Sequence, residues 1–151
     1  MVADGGGAGP GLLPALEALL GLWRSRYESG PFPARPRLAP ADLEPWAGHT
    51  AWIEAAPGGR HRIHRFGIGL IRRFGRESTD DFVEDLAVDV ARSLGAKLDR
   101  ANETQVPAIG GASVQLGRDA ALFSEIVFPL ARDTQRITQF LIASYEVRKR
   151  S

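Results

Sequence analysis

Apolar residues near the start of the chain return at three- and four-residue steps. Leu12, Leu16, Leu19, Leu20, Trp23 and Tyr27 share one helical stripe, and Pro14 falls in the first turn, where its missing N–H is tolerated. Gly30 and Pro31 are the expected stop, giving a helix over residues 12–30. So apolar a stripe has to be covered, by the chain's own domain or by a second copy of it. Residues 1–11 are mostly Gly and Ala and read as a disordered tail.

Beyond the helix the pattern changes. Phe32 to Pro45 carries Pro33, Pro36, Pro40 and Pro45 among polar residues, which predicts an extended, irregular connection. Ala51 to Ala55 reads as a strand, Pro57-Gly58-Gly59 as a turn, and Arg60 to Phe66 as the returning strand. From Arg62 to Phe82 the chain then leaves that strand through Gly67 and Gly69. It forms a short amphipathic segment of Leu70, Ile71 and Phe74 and stops at Gly75, placed as a C-cap. Gly67 is expected to supply backbone angles closed to other residues. Ser78, Thr79 and Asp80 offer capping oxygens to a longer helix with the stripe Phe82, Leu86, Val90, Leu94 and Leu98. Asp80, Asp81, Glu84 and Asp85 would sit near its positive end.

Ala101 to Gly111 reads as a loop around Pro107. Strands follow at Ala112 to Leu116, Leu122 to Leu130 and Ile137 to Tyr145, the last two joined by a turn at Arg132-Asp133-Thr134. Both long strands are apolar on both faces, so the sheet needs a second cover, and the leading helix is the spare apolar surface. The expected class is α+β, with a five-stranded antiparallel sheet and a helical crossing between the second and third strands.

Composition narrows the chemistry. The chain has 151 residues, no cysteine and a formal net charge of +1. One domain is the expectation. Without cysteine there is no disulfide, thiolate metal site, cysteine nucleophile or cysteinyl-flavin adduct. No apolar run approaches the ~20 residues of a membrane span, and no signal peptide is evident, so the reading is cytoplasmic with no membrane partner. A charge near zero argues against nucleic acid as a partner.

The element order, together with five short motifs, resembles a stand-alone PAS-domain family common in alphaproteobacteria. The motifs are Leu22-Trp23-Arg24-Ser25; Phe32-Pro33-Ala34-Arg35; an Arg-x-x-Gly strand exit, set against Arg65-Phe66-Gly67; Phe74-Gly75-Arg76-Glu77; and Phe128-Pro129-Leu130-Ala131-Arg132-Asp133. The chain departs from the pattern at Ile68, where the family has Thr, and at Asp80 and Thr134, where it has Gly. The resemblance implies a PAS-like domain over residues 31–147, with a basic tail at 148–151. It also implies a non-enzymatic sensory role: a small ligand or a partner protein is bound, and the N-terminal helix and a homodimer interface report it to a separate signalling protein. Arg65, Phe66, Gly67, Phe74, Phe82, Leu116, Ile126 and Phe128 would then line the ligand space between sheet and crossing helices. Leu12, Leu16, Leu19, Leu20, Trp23 and Tyr27 would form the helix-packing or dimer face.

Some PAS domains hold haem through a histidine of the crossing helix. His49, His61 and His64 all lie outside residues 70–98, and His61 and His64 are expected on opposite strand faces, which argues against haem and against a His-His metal site. Arg60, Arg62, Arg65, Arg72, Arg73 and Arg76 invite an anion site, but pairing with Glu54, Glu77, Asp80 or Asp81 is the plainer reading, Arg65 being the exception kept. Ser113, Ser124 and Ser144 lack nucleophile-elbow glycines, and Gly67-x-Gly69 lacks the third glycine of a dinucleotide loop. Two alternatives remain: a ligand-free interaction adaptor, and a small cone-fold enzyme built on a buried carboxylate such as Glu54, Glu77 or Glu125 with a raised pKa.

Overall fold

The computed structural model describes residues 12–26, 38–130 and 139–147. The expected tail over 1–11, Tyr27 and the Gly30-Pro31 stop, the Phe32 motif, the Arg132-Asp133-Thr134 turn and the basic tail lie outside the described residues.

The leading helix, α1, spans Pro14–Arg26. Residues Pro40–His49 then form a 3-10 segment, correcting the extended connection expected there. Pro40 sits at its start, where a fixed φ suits a helical turn, and Asp42 accepts the Ala39 backbone N–H at 2.8 Å. Strands β1 (Thr50–Ala56) and β2 (Arg60–Phe66) form the expected hairpin, closed by Gly58 and Gly59 at φ +79° and +75°. Short turns and α2 (Ile71–Phe74) follow, ending at Gly75 with φ +95°, the left-handed cap its position predicts.

The long helix, α3, spans Val88–Thr104, so Phe82 and Leu86 lie before it. Its N-cap is Ala87, not Ser78, Thr79 or Asp80, and the four acidic residues precede it rather than charging its first turn. What replaces the expected first turns is pairing with the sheet edge. Asp80 takes φ +69°, a left-handed angle that Asp tolerates better than most residues; the Asp80 N–H donates to Ile63 O, and the Ile63 N–H to Asp81 O. Strand β3 runs Ala108–Leu116, so most of the loop expected over Ala101 to Gly111 belongs to α3 and β3. Strands β4 (Asp119–Leu130) and β5 (Gln139–Glu146) complete the sheet.

All pairings are antiparallel and the strand order is β2-β1-β5-β4-β3. The fold is α+β with a five-stranded antiparallel sheet, and its helical turns cross between the second and third strands. Each face carries its own core. On the crossing face Ile53, Ile63, Leu70, Phe74, Leu94, Leu98, Val127 and Phe140 pack together. On the reverse face Leu16, Leu19, Leu20 and Trp23 of α1 cover Ile126, Phe128, Leu130, Leu141 and Ala143. The expected second cover is therefore α1, and the Trp23 indole N–H donates to Pro129 O at 2.9 Å beneath it. With that stripe turned inward, a dimer would have to use another surface.

Both edges of the sheet are blunted. Residues 80–82 bridge β2, and Arg100 and Lys97 reach from α3 to cap Ile109 O and Gly111 O of β3.

Candidate functional site

The eight residues expected around one ligand space are only partly brought together: Arg65, Phe66 and Gly67 line one groove and Phe74 packs on Phe66, but the other four lie elsewhere. In β4 the odd positions Phe123, Glu125 and Val127 face α3, while the even positions Ile126 and Phe128 face α1. Ile126 and Phe128 thus belong to the reverse-face core. Leu116 lies at the β3–β4 hairpin, where it lines a second cavity of about 380 Å³ with Arg72, Leu122 and Glu146. Phe82 sits at the outer edge of β2 under the Arg60 guanidinium, 3.9 Å from the ring centroid. Phe74 is buried edge-on against Phe66, with ring centroids 5.1 Å apart.

Charge occupies the middle of the crossing face, around Glu125, one of the three carboxylates singled out from the sequence, whose partners Arg73 and Lys97 were not expected. Glu125 is fully buried, and its carboxylate accepts from Arg73 Nε at 2.7 Å, Arg73 Nη2 at 2.9 Å and Ser144 Oγ at 2.8 Å, with Lys97 Nζ at 3.0 Å. These contacts use the carboxylate's four lone-pair directions. Ser93 Oγ receives both Arg73 Nη2 and Lys97 Nζ. Burial pushes the Glu125 carboxyl up, but hydrogen bonds and charge from Arg73, then the charge of Lys97 and the Ser144 hydroxyl, outweigh it and leave it below the ordinary glutamate value. A cone-fold enzyme would need the opposite shift and a free oxygen. The signal that would have found this cluster is the one charged residue, Glu125, inside the largely apolar LFSEIVFPL, with Lys97 next to Leu98 on the long helix.

The other arginines divide much as their plainer reading has it. Arg62 pairs with Asp80 and Arg76 with Asp81, as expected; Arg60 pairs with Asp85 and Arg72 with Glu146. Glu77 turns instead to the Thr79 backbone and hydroxyl. Among the described residues Arg65 has neither an ion pair nor a hydrogen-bond partner and is exposed.

Arg65 lines a half-open groove of about 250 Å³ on the reverse side of the sheet. The 3-10 segment supplies one wall through Pro40, Leu43 and Ala47, and the β1–β2 hairpin the other through Thr50, Trp52, Arg65, Phe66 and Gly67. Its geometry depends on a β-bulge. Trp52 pairs with Arg65 and Ile53 with Ile63, so His64 is an extra residue in β2. A regular strand would turn Ile63 and Arg65 to the same face. The bulge keeps Ile63 in the crossing-face core and places Arg65 beside Trp52. Arg65 also stands two residues before Gly67, one short of the Arg-x-x-Gly spacing.

Gly67 is needed here for space, not for unusual angles. Its φ and ψ are −77° and 134°, open to any residue, but a Cβ would fall 2.3 Å from Ala47 O. A Cβ on Gly69 would likewise meet Gly48 O at 2.6 Å and the His49 ring at 2.8 Å. The crossing segment therefore begins in direct backbone contact with the end of the 3-10 segment. His49 stacks in turn on Tyr145, ring centroids 4.2 Å apart, and burial pushes the Tyr145 hydroxyl up.

The 3-10 segment is tied to α1 as well. Arg26 makes a two-pronged pair with Asp42, both contacts at 3.2 Å, and the Trp46 indole N–H donates to Ala15 O at 2.8 Å. Leu43 lies in the core cluster of α1. Among the described residues no three His, Asp or Glu side chains converge as metal ligands would, and no helix is long and apolar enough to cross a membrane.

No protein-family model matches the chain, and no curated protein matches it either.

Proposed function

We propose that the protein is a non-enzymatic, PAS-like sensory domain that takes a small ligand in the reverse-side groove and reports it through α1 to a separate protein. The observation that carries this reading is the double attachment of the 3-10 segment. It forms one wall of the groove and is bonded to α1 at Asp42 and Trp46. A ligand that favours one position of that wall favours one position of α1, to the extent that its affinity for the two differs. The site moves away from the space between sheet and crossing helices, where the Arg73–Glu125–Lys97 cluster and the Phe66–Phe74 pair already pack.

Native mass spectrometry of the full chain tests the reading, followed by hydrogen exchange over residues 14–26 before and after any retained molecule is removed. A retained small molecule whose loss speeds exchange in α1 supports it. A chain that carries no added mass and self-associates or captures a protein supports the second reading, a ligand-free interaction adaptor, which the filled crossing face favours.

A further inference from the structure

We infer that the groove recognises a small monocarboxylate with a flat or branched apolar body. This rests on the groove being the ligand site, and it goes further by naming the chemistry. Two polar side-chain groups in the groove lack partners among the described residues: the Arg65 guanidinium and the Trp52 indole N–H. Both are donors and neither can accept, so the complementary ligand group is an acceptor, and next to a guanidinium it is an anion. Thr50 Oγ1 already donates to Ala47 O at 3.3 Å. Among the described residues no acidic side chain lines the groove to compete for Arg65.

The number of charges selects the anion. One guanidinium presents a fork that matches one carboxylate, with two parallel hydrogen bonds. A phosphate dianion would leave a second charge uncompensated against Pro40, Leu43 and Phe66, which are apolar. Size selects the rest of the molecule. The volume, about 250 Å³, is below the ~300–1,000 Å³ typical of sites for drug-sized ligands. It suits an acid with a single ring or a branched chain lying against Trp52 and Leu43. The bulge at His64 supports the assignment independently, because it turns a cation with no structural partner into a concave apolar site.

Phenylacetate is the probe, with phenylacetamide as its uncharged counterpart and phenyl phosphate as the competing anion. Binding to the full-length protein is followed by NMR through the Trp52 indole signal, assigned with Trp52→Phe, and through the α1 amides. Phenylacetate should move the Trp52 signal and bind about tenfold or more tightly than the amide, and Arg65→Gln should remove that difference. Arg65 is exposed and has no partner among the described residues, so its replacement should leave the fold intact. Trp52→Phe keeps a ring and removes one donor, and should weaken phenylacetate about tenfold or more, the worth of one hydrogen bond to a charged group.

Equal affinity for acid and amide, an unchanged affinity in Arg65→Gln, or tighter binding of phenyl phosphate would each overturn the carboxylate assignment. The α1 signals judge the sensory reading separately. Phenylacetate bound in the groove with α1 unmoved would remove the readout and leave the ligand class standing. An amide that binds as well as the acid and moves α1 would do the reverse.

Discussion

Under α3 the middle of the sheet holds one carboxylate, Glu125, bound by two cations, whereas under α1 the same strands meet leucines and a tryptophan. The two faces respond to damage in different ways. An apolar face loses stability in proportion to the contacts and volume removed. A buried charge cluster is close to all-or-none, because removing one member strands the others in a medium that does not solvate them. Ser144 and Glu125 point into the cluster while their neighbours Ala143 and Ile126 point into the α1 core, so adjacent residues of β4 and β5 serve both regimes.

The sharpest way to break the comparison is Glu125→Ala, expected to cost about 3–5 kcal/mol in urea unfolding because Arg73 and Lys97 remain buried and unpaired. Replacing all three charges at once, with Arg73→Met, Glu125→Leu and Lys97→Met, should recover most of that loss; a triple variant no better than the single one would mean the face is not governed by charge. Leu19→Ala under α1 is expected to cost about 2–4 kcal/mol by cavity formation, and no partner substitution should rescue it. Gly67→Ala, which drives a methyl into Ala47 O, should cost about 1–3 kcal/mol and disturb the groove and the start of the crossing segment together.

Acid titrates the same contrast. The folded Glu125 pKa lies below that of an ordinary glutamate, so its contribution is present above the ordinary value and is lost as pH falls through the depressed folded pKa. Unfolding midpoints measured downward from pH 5 should fall less steeply in Glu125→Gln than in the parent. The smallest effect is reserved for Arg26→Ala, whose solvent-screened pair with Asp42 should leave the urea midpoint almost unchanged. That variant should nevertheless loosen the coupling of the 3-10 segment to α1, visible as faster exchange at the end of the helix.

Local rules carried most of the architecture. The hairpin, the Gly75 cap and the two-sided apolar strands could be read because each depends on near neighbours. The misreadings share a cause, which is that a distant partner decides. The stripe through Phe82 and Leu86 keeps helical spacing, yet residues 80–82 pair with β2 instead. Gly110 and Gly111 look like loop residues, but they sit in β3 where a Cβ would lie 3.0 Å from Lys97 Cε and 3.3 Å from Phe123 O, respectively. The prolines around residue 40 suggested an extended chain although one of them opens a 3-10 turn. At the candidate site Arg65 stood out in the sequence, but its side of the sheet followed from a register shift that the alternation pattern did not show.

That shift gives the edge strand an unusual property. His64 is exposed, and the outer side of its strand is paired only at residues 62 and 63; as the extra residue it lets Ile63 and Arg65 face opposite sides although they stand two apart. Deleting His64 would make Ile63 and Arg65 neighbours in a regular strand, where successive side chains also point to opposite faces, so Arg65 would keep its side. The strand can therefore lose one residue at this position while the guanidinium and both hydrophobic layers stay as they are.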